Sequence, residues 1–110
     1  MQNYPIATKS VTPSVTNAWA SVAASTSLSY QLVGFSGAGS THAAAVTVSF
    51  GSTEKLRYVG ACAKSGTAIS EFFGLDGPIT ATNEGIVVRV QTIPGGTQCY
   101  ANLIYRKVIL

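Results

Sequence analysis

His42 is the only histidine in this 110-residue chain, and there are four acids: Glu54, Glu71, Asp76 and Glu84. Groups of these types move protons in most active sites. A zinc centre needs three or four converging ligands, yet no acid or cysteine lies near His42 in the sequence. Glycoside hydrolysis needs two carboxylates facing each other across a bond. Glu71 and Asp76 form the only close pair, and both have plainer readings. Asp76 opens an Asp76-Gly77-Pro78 turn, and Glu71 borders Phe72 and Phe73. A serine–histidine–acid set assembles in space rather than in sequence, so the many serines carry no information. The expectation is a chain that is not an enzyme and has no cofactor, metal or catalytic residue.

Other groups suggest binding. The segment from Gly34 to Ser40 has the glycines of a phosphate loop. It lacks the Lys-Ser or Lys-Thr ending and a following helix, and reads as a flexible loop. Trp19 and five tyrosines could stack on sugar faces, which makes a lectin-like module the first alternative function. Trp19 sits among Ala18, Ala20 and Val22, however, and Tyr30, Tyr58, Tyr100 and Tyr105 lie in alternating segments, so packing in the core or at a subunit interface is the plainer reading. Arg57, Arg89 and Arg106 would line up across neighbouring strands, which makes nucleic-acid binding the second alternative. Such proteins normally cluster many cations on one face. Cys62 and Cys99 lie in no CxxC pair and read as buried thiols, with a stabilising disulfide as the alternative.

Seven basic and four acidic residues are few for a chain of this length. An ordinary domain has about a quarter of its residues charged. A single small domain still exposes roughly a third of its unfolded surface. That exterior must be clothed either by neutral polar groups or by neighbouring subunits. No apolar run approaches the length of a membrane helix. Met1 to Thr16 lacks the basic and apolar regions of a secretory signal, so the chain is expected to stay in the compartment where it is made.

The elements that must position these residues read as strands. Leu28, Tyr30 and Leu32 alternate with Ser29, Gln31 and Val33. Val46, Val48 and Phe50 oppose Thr47 and Ser49, and a Gly51-Ser52-Thr53 turn predicts a hairpin over about 45 to 63. Lys64 to Asn83 reads as looser chain. Ile86, Val88 and Val90 alternate with Val87, Arg89 and Gln91. Pro94-Gly95-Gly96 then reverses the chain into a long strand from about Gln98 to Ile109. That strand carries Tyr100, Asn102, Ile104, Arg106 and Val108 on one face. The fold expected is all-β, a single-domain β-sandwich or jelly-roll-like barrel over 17–110. Residues 1–16 read as an extended arm lying along another subunit, with an edge strand or a frayed terminus as the alternatives.

Gly85-Ile86-Val87-Val88-Arg89-Val90, the Pro-Gly-Gly turn and the closing Tyr100-Ala101-Asn102-Leu103-Ile104-Tyr105-Arg106-Lys107-Val108 resemble the ends of small β-sandwich virion proteins of tailed bacteriophages. These include capsid decoration or cement subunits and small head and tail components. The resemblance implies a homo-oligomer, often a trimer. It would bind other virion proteins such as a capsid or tail lattice, and would be made in the host cytoplasm and placed in the virion. Assembly contacts are expected at Ile6, on the face bearing Tyr100, Ile104 and Val108, and at the terminal Ile109 and Leu110. Alkylation followed by mass measurement, with and without reductant, tests the cysteines, and the expected result is two modified thiols without reductant.

Overall fold

Residues 2–11, 17–39, 44–61, 68–92 and 99–109 are described by a computed structural model. The strongest alternation in the sequence gives the most regular strand. In β4 (Ala44–Phe50), buried and half-buried residues alternate at every position, as a period of two requires. Gly51 turns the chain at φ 60. β5 (Thr53–Ala61) returns with Tyr58 opposite Val46 and Leu56 opposite Val48. The expected hairpin is present through Ala61, while Cys62 lies outside the described residues.

The remaining strands are β1 (Gln2–Val11), β2 (Asn17–Val22), β3 (Ser29–Gly39), β6 (Ile69–Phe72), β7 (Ile86–Thr92) and β8 (Cys99–Ile109). Pairing is nested and antiparallel: β1 with β8, β2 with β7, β3 with β6, and β4 with β5. Two further pairings, β3 with β8 and β4 with β7, join these couples into sheets ordered β1-β8-β3-β6 and β2-β7-β4-β5. A long hairpin rolled so that successive couples fall on alternate sheets is the eight-stranded jelly roll. Leu32, Phe35 and Leu103 from the first sheet meet Val46, Val48, Ile86, Val88 and Val90 from the second, all buried.

Three expectations need revision. The glycine-rich stretch is not a loop as far as Gly39: β3 runs through it, paired with β8 throughout and with β6 from Gly34 to Gly37. Glycine is needed there because a Cβ on Gly37 would collide with the Val90 side chain of the opposite sheet. Central strands use glycine in this way where another layer comes close. The looser segment is built onto β3 as well. Beyond β6, the amide of Phe73 donates to the Val33 carbonyl at 2.6 Å, that of Leu32 to Pro78 at 2.9 Å and that of Thr80 to Tyr30 at 2.8 Å. Between these contacts, the 3-10 turn Gly74–Asp76 swings out opposite a bulge in β3 between Leu32 and Gly34. Finally, the segment expected as an arm is an edge strand over Gln2–Val11, paired with β8 of its own chain. This is one of the alternatives the sequence left open.

Gln31 closes the excursion. Its buried side-chain amide donates to the Leu75 carbonyl at 2.8 Å and the Gly77 carbonyl at 2.9 Å, and its oxygen accepts from Arg106 Nε. Gly77 lies so close to β3 that a Cβ would collide with the Leu32 carbonyl oxygen. The glycine of the Asp-Gly-Pro turn is therefore required by proximity, since its φ of −67° is ordinary. Gly77→Ala must push the turn off the strand, and overpacking of this kind costs about 1–3 kcal/mol. The expected outcome is a lower urea midpoint with an unchanged denaturant slope.

Candidate binding surfaces

Outward positions of the second sheet are set by the same alternation that fills the core. Trp19, Arg89, Thr47 and Arg57 lie side by side across β2, β7, β4 and β5. The outward residues of β4 are Ala45, Thr47 and Ser49, all short, while its neighbours carry long side chains. A trough of about 270 Å³ therefore runs along β4, with Trp19 and Arg89 on one side and Arg57 and Glu54 on the other. Trp19 is 51% exposed, so this ring is not packed in the subunit's own core. The Arg89 guanidinium sits 5.4 Å from the Trp19 ring centre, within cation–π range.

Arg57 is differently occupied. It donates from Nε and from a terminal nitrogen to the two Glu54 oxygens, at 3.1 and 2.8 Å. These hydrogen bonds hold the Glu54 carboxyl below its ordinary range and the guanidinium above its own. Among the described residues this is the one ion pair, which leaves Arg89 without a carboxylate. Arg106, the third arginine of the nucleic-acid alternative, lies in the other sheet, buried and bonded to Gln31. The three cations do not share a face.

On the outer face of the first sheet, neutral polar side chains form a row: Ser10, Asn102, Ser36 and Ser70 are successive cross-strand neighbours. Asn102 Nδ2 donates to Ser36 Oγ at 2.8 Å. Of the residues expected to form an apolar assembly face, Ile6 is 53% exposed, Tyr100 and Ile104 are half-buried, and Val108 is fully buried within the subunit. Val108 sits beside Ser29, Gln31 and Arg106 at the end of the sheet where all four are covered, so it cannot meet a partner from there. Ile109 ends β8, and Leu110 lies outside the described residues. Cys99 is buried in the core, its pairing with Cys62 falls outside the described residues, and so does His42.

Exposed large apolar side chains stand at several places, Ile6 on β1, Trp19 on β2 and Val59 on β5, and three more lie along the flank formed by β6 and its continuation. Phe72 is 71% exposed, Leu75 67% and Ile79 39%, all within the segment wrapped on β3. Of the three, Ile79 also lines a hollow of about 550 Å³, together with Leu32, Phe50, Leu56, Phe73 and Pro78 among others. Sequence reading missed this flank because Phe72, Leu75 and Ile79 belong to no strand alternation. The available signal was the density of large apolar residues in a segment with no period.

Glu71, one of the close acid pair, faces Tyr58 across this flank. The Tyr58 hydroxyl donates to Glu71 Oε1 at 3.4 Å. Among the described residues no group of three metal-ligating side chains converges, and no helix is long and apolar enough to cross a membrane. Comparison with family models, curated proteins and solved structures gives no match.

Burial, and secondarily the Glu71 charge, raises the Tyr58 hydroxyl above its ordinary pKa. Burial and then Tyr105 do the same for Tyr30, whose ring stands edge-on to Tyr105 at 5.7 Å. A raised folded-state pKa adds stability that is fully present below the unfolded value of about 10 and is lost as pH rises through the folded value. The denaturation midpoint should therefore fall above about pH 10. Tyr58→Phe should shallow that fall, and tyrosinate absorbance should report tyrosines that ionise late.

Proposed function

We propose that this chain is a non-enzymatic structural subunit of a virion, a decoration, cement or other head or tail component, acting by self-association and by binding other virion proteins. The observation that carries this reading is the apolar flank. Single exposed apolar residues are normal on a monomer. Phe72, Leu75 and Ile79 instead follow one another along an edge strand and its continuation, and Phe72 shares the outer face of the first sheet with Ile104, across Gly34. Edge strands are usually protected by charges or proline. β6 reads Ile-Ser-Glu-Phe, and the side chain of its one acid is engaged by Tyr58. Among the described residues no further strand pairs with the outer side of β6, and that edge with the greasy side chains beside it suits pairing with another chain.

Size and fold support the same reading. A stable interface covers on the order of 800 Å² per partner, against a total accessible surface of 5703 Å². Two such contacts would clothe roughly a quarter of an exterior that has few charges. Jelly rolls build viral shells, and they also build lectins. The fold alone assigns neither role. The resemblance of the carboxyl third to phage virion proteins points to the first.

Light scattering at micromolar concentration should give a native mass that is a multiple of the 11.4 kDa subunit. Replacing Phe72 and Leu75 together by Asp should lower that mass to one subunit while circular dichroism keeps its β signature. A wild-type chain that stays monomeric under these conditions overturns the proposal.

A further inference from the structure

We infer that the trough on the outer face of the β2-β7-β4-β5 sheet is a subsite for an acidic sugar, a saccharide ring bearing a carboxylate. This site is separate from the apolar flank and rests on different observations. The trough combines what such a ring requires. Trp19 offers half of its surface to solvent, and an indole face takes up the C–H face of a pyranose. Arg89 presents a planar guanidinium over one face of that ring, which leaves the other face for the saccharide, and it has no carboxylate of its own among the described residues. A guanidinium binds a carboxylate through two parallel hydrogen bonds. The floor supplies the Thr47 and Ser49 hydroxyls, and the far wall supplies Glu54, an acceptor for sugar hydroxyls.

The volume and charge select among ligands. At about 270 Å³ the trough is slightly smaller than sites for drug-sized molecules. It suits one or two rings rather than an extended polymer. A nucleic-acid strand would also stack on Trp19, but its affinity depends on neutralising several phosphates. Here Arg57 is already neutralised by Glu54, which leaves a single unopposed cation. One carboxylate matches one guanidinium.

Rigidity favours the site. All of the named side chains stand on paired strands, so the walls keep their separation without a ligand. Adjacent strands lie roughly 5 Å apart, which places the Arg89 and Arg57 backbones about 10 Å from each other across β4. Little ordering is needed on binding, so a shallow site can still hold a ligand.

Calorimetric titration of the full chain with a trimer of galacturonic acid, and separately with the corresponding trimer of galactose, tests the inference. The acidic trimer should bind saturably, and the neutral one at least about tenfold more weakly. Trp19→Ala and Arg89→Gln should each weaken the acidic trimer by about tenfold or more. The Phe72 and Leu75 double variant should bind it as the wild type does. Native mass measured on the same samples separates the two proposals, because binding by a monomer would leave the sugar site standing while assembly falls. Three outcomes overturn the inference: no saturable binding of the acidic trimer, equal binding of both trimers, or affinity indifferent to Trp19 and Arg89. Tighter binding of a single-stranded oligonucleotide, falling steeply with salt, would also overturn it and assign the trough to nucleic acid.

Discussion

The pairing of β3 with β8, from Ser29 opposite Val108 to Gly39 opposite Cys99, is the contact on which the rest of the molecule is arranged. In a jelly roll the first and last strands meet only after the chain has rolled completely, and β8 lies between β1 and β3. Its backbone groups are satisfied on both sides by segments distant in sequence. β3 is equally committed, to β8 on one side and to β6 and the Pro78–Thr80 stretch on the other. The bulge at Val33 reconciles these demands. An extra residue lets Tyr30 and Leu32 below it and Phe35 above it all face the core, while β8 keeps a strict alternation through Leu103 and Tyr105. It also turns the Val33 carbonyl toward Phe73, which starts the excursion that Gln31 and Gly77 hold down. The exposed ridge at Phe72 and Leu75 follows from a local demand of the spine.

The shortage of charge resolves into three kinds of surface. The first sheet presents the Ser10, Asn102, Ser36 and Ser70 row of hydroxyls and an amide, and next to it Ile104 and Phe72. The second presents a trough with one opposed and one unopposed guanidinium. Apolar exposure is the third kind, with Phe72, Leu75 and Ile79 on β6 and its continuation and Val59 and Ile6 on two other edge strands, while inside the fold Phe35 lies 6.0 Å from Tyr58 and 6.3 Å from Phe73. Neutral polar side chains therefore clothe part of the sheet faces, with large apolar side chains standing among them.

Where burial follows a period, the sequence carried the structure. The facing of Val46, Val48 and Phe50, and of Ile86, Val88 and Val90, was legible because each residue's side is decided by its neighbours alone. The role of the glycines in β3 was not legible. Gly37 looks like loop punctuation until the Val90 side chain of the opposite sheet is in place. Val108 was misplaced for a related reason, since alternation assigns a residue to the outer face without saying what else covers that face. For the trough, the alternating Val87, Arg89 and Gln91 marked one wall, but the neighbour relation of Trp19 and Arg89 depends on β2 pairing with β7, a long-range choice. The same holds for Arg57 and Arg89, which were expected together and are, whereas Arg106 belongs to the other layer.

Trp19 is the single tryptophan of the chain, and it stands on the rim of the trough rather than in the core. Indole emission from this protein therefore comes from one ring in one place, with a guanidinium beside it and water around it. Its intensity and colour report on the outside of one sheet and are nearly silent about whether the interior is packed. For this molecule, an optical record of unfolding is better taken from the tyrosines, among them the Tyr30 and Tyr105 pair held inside the fold.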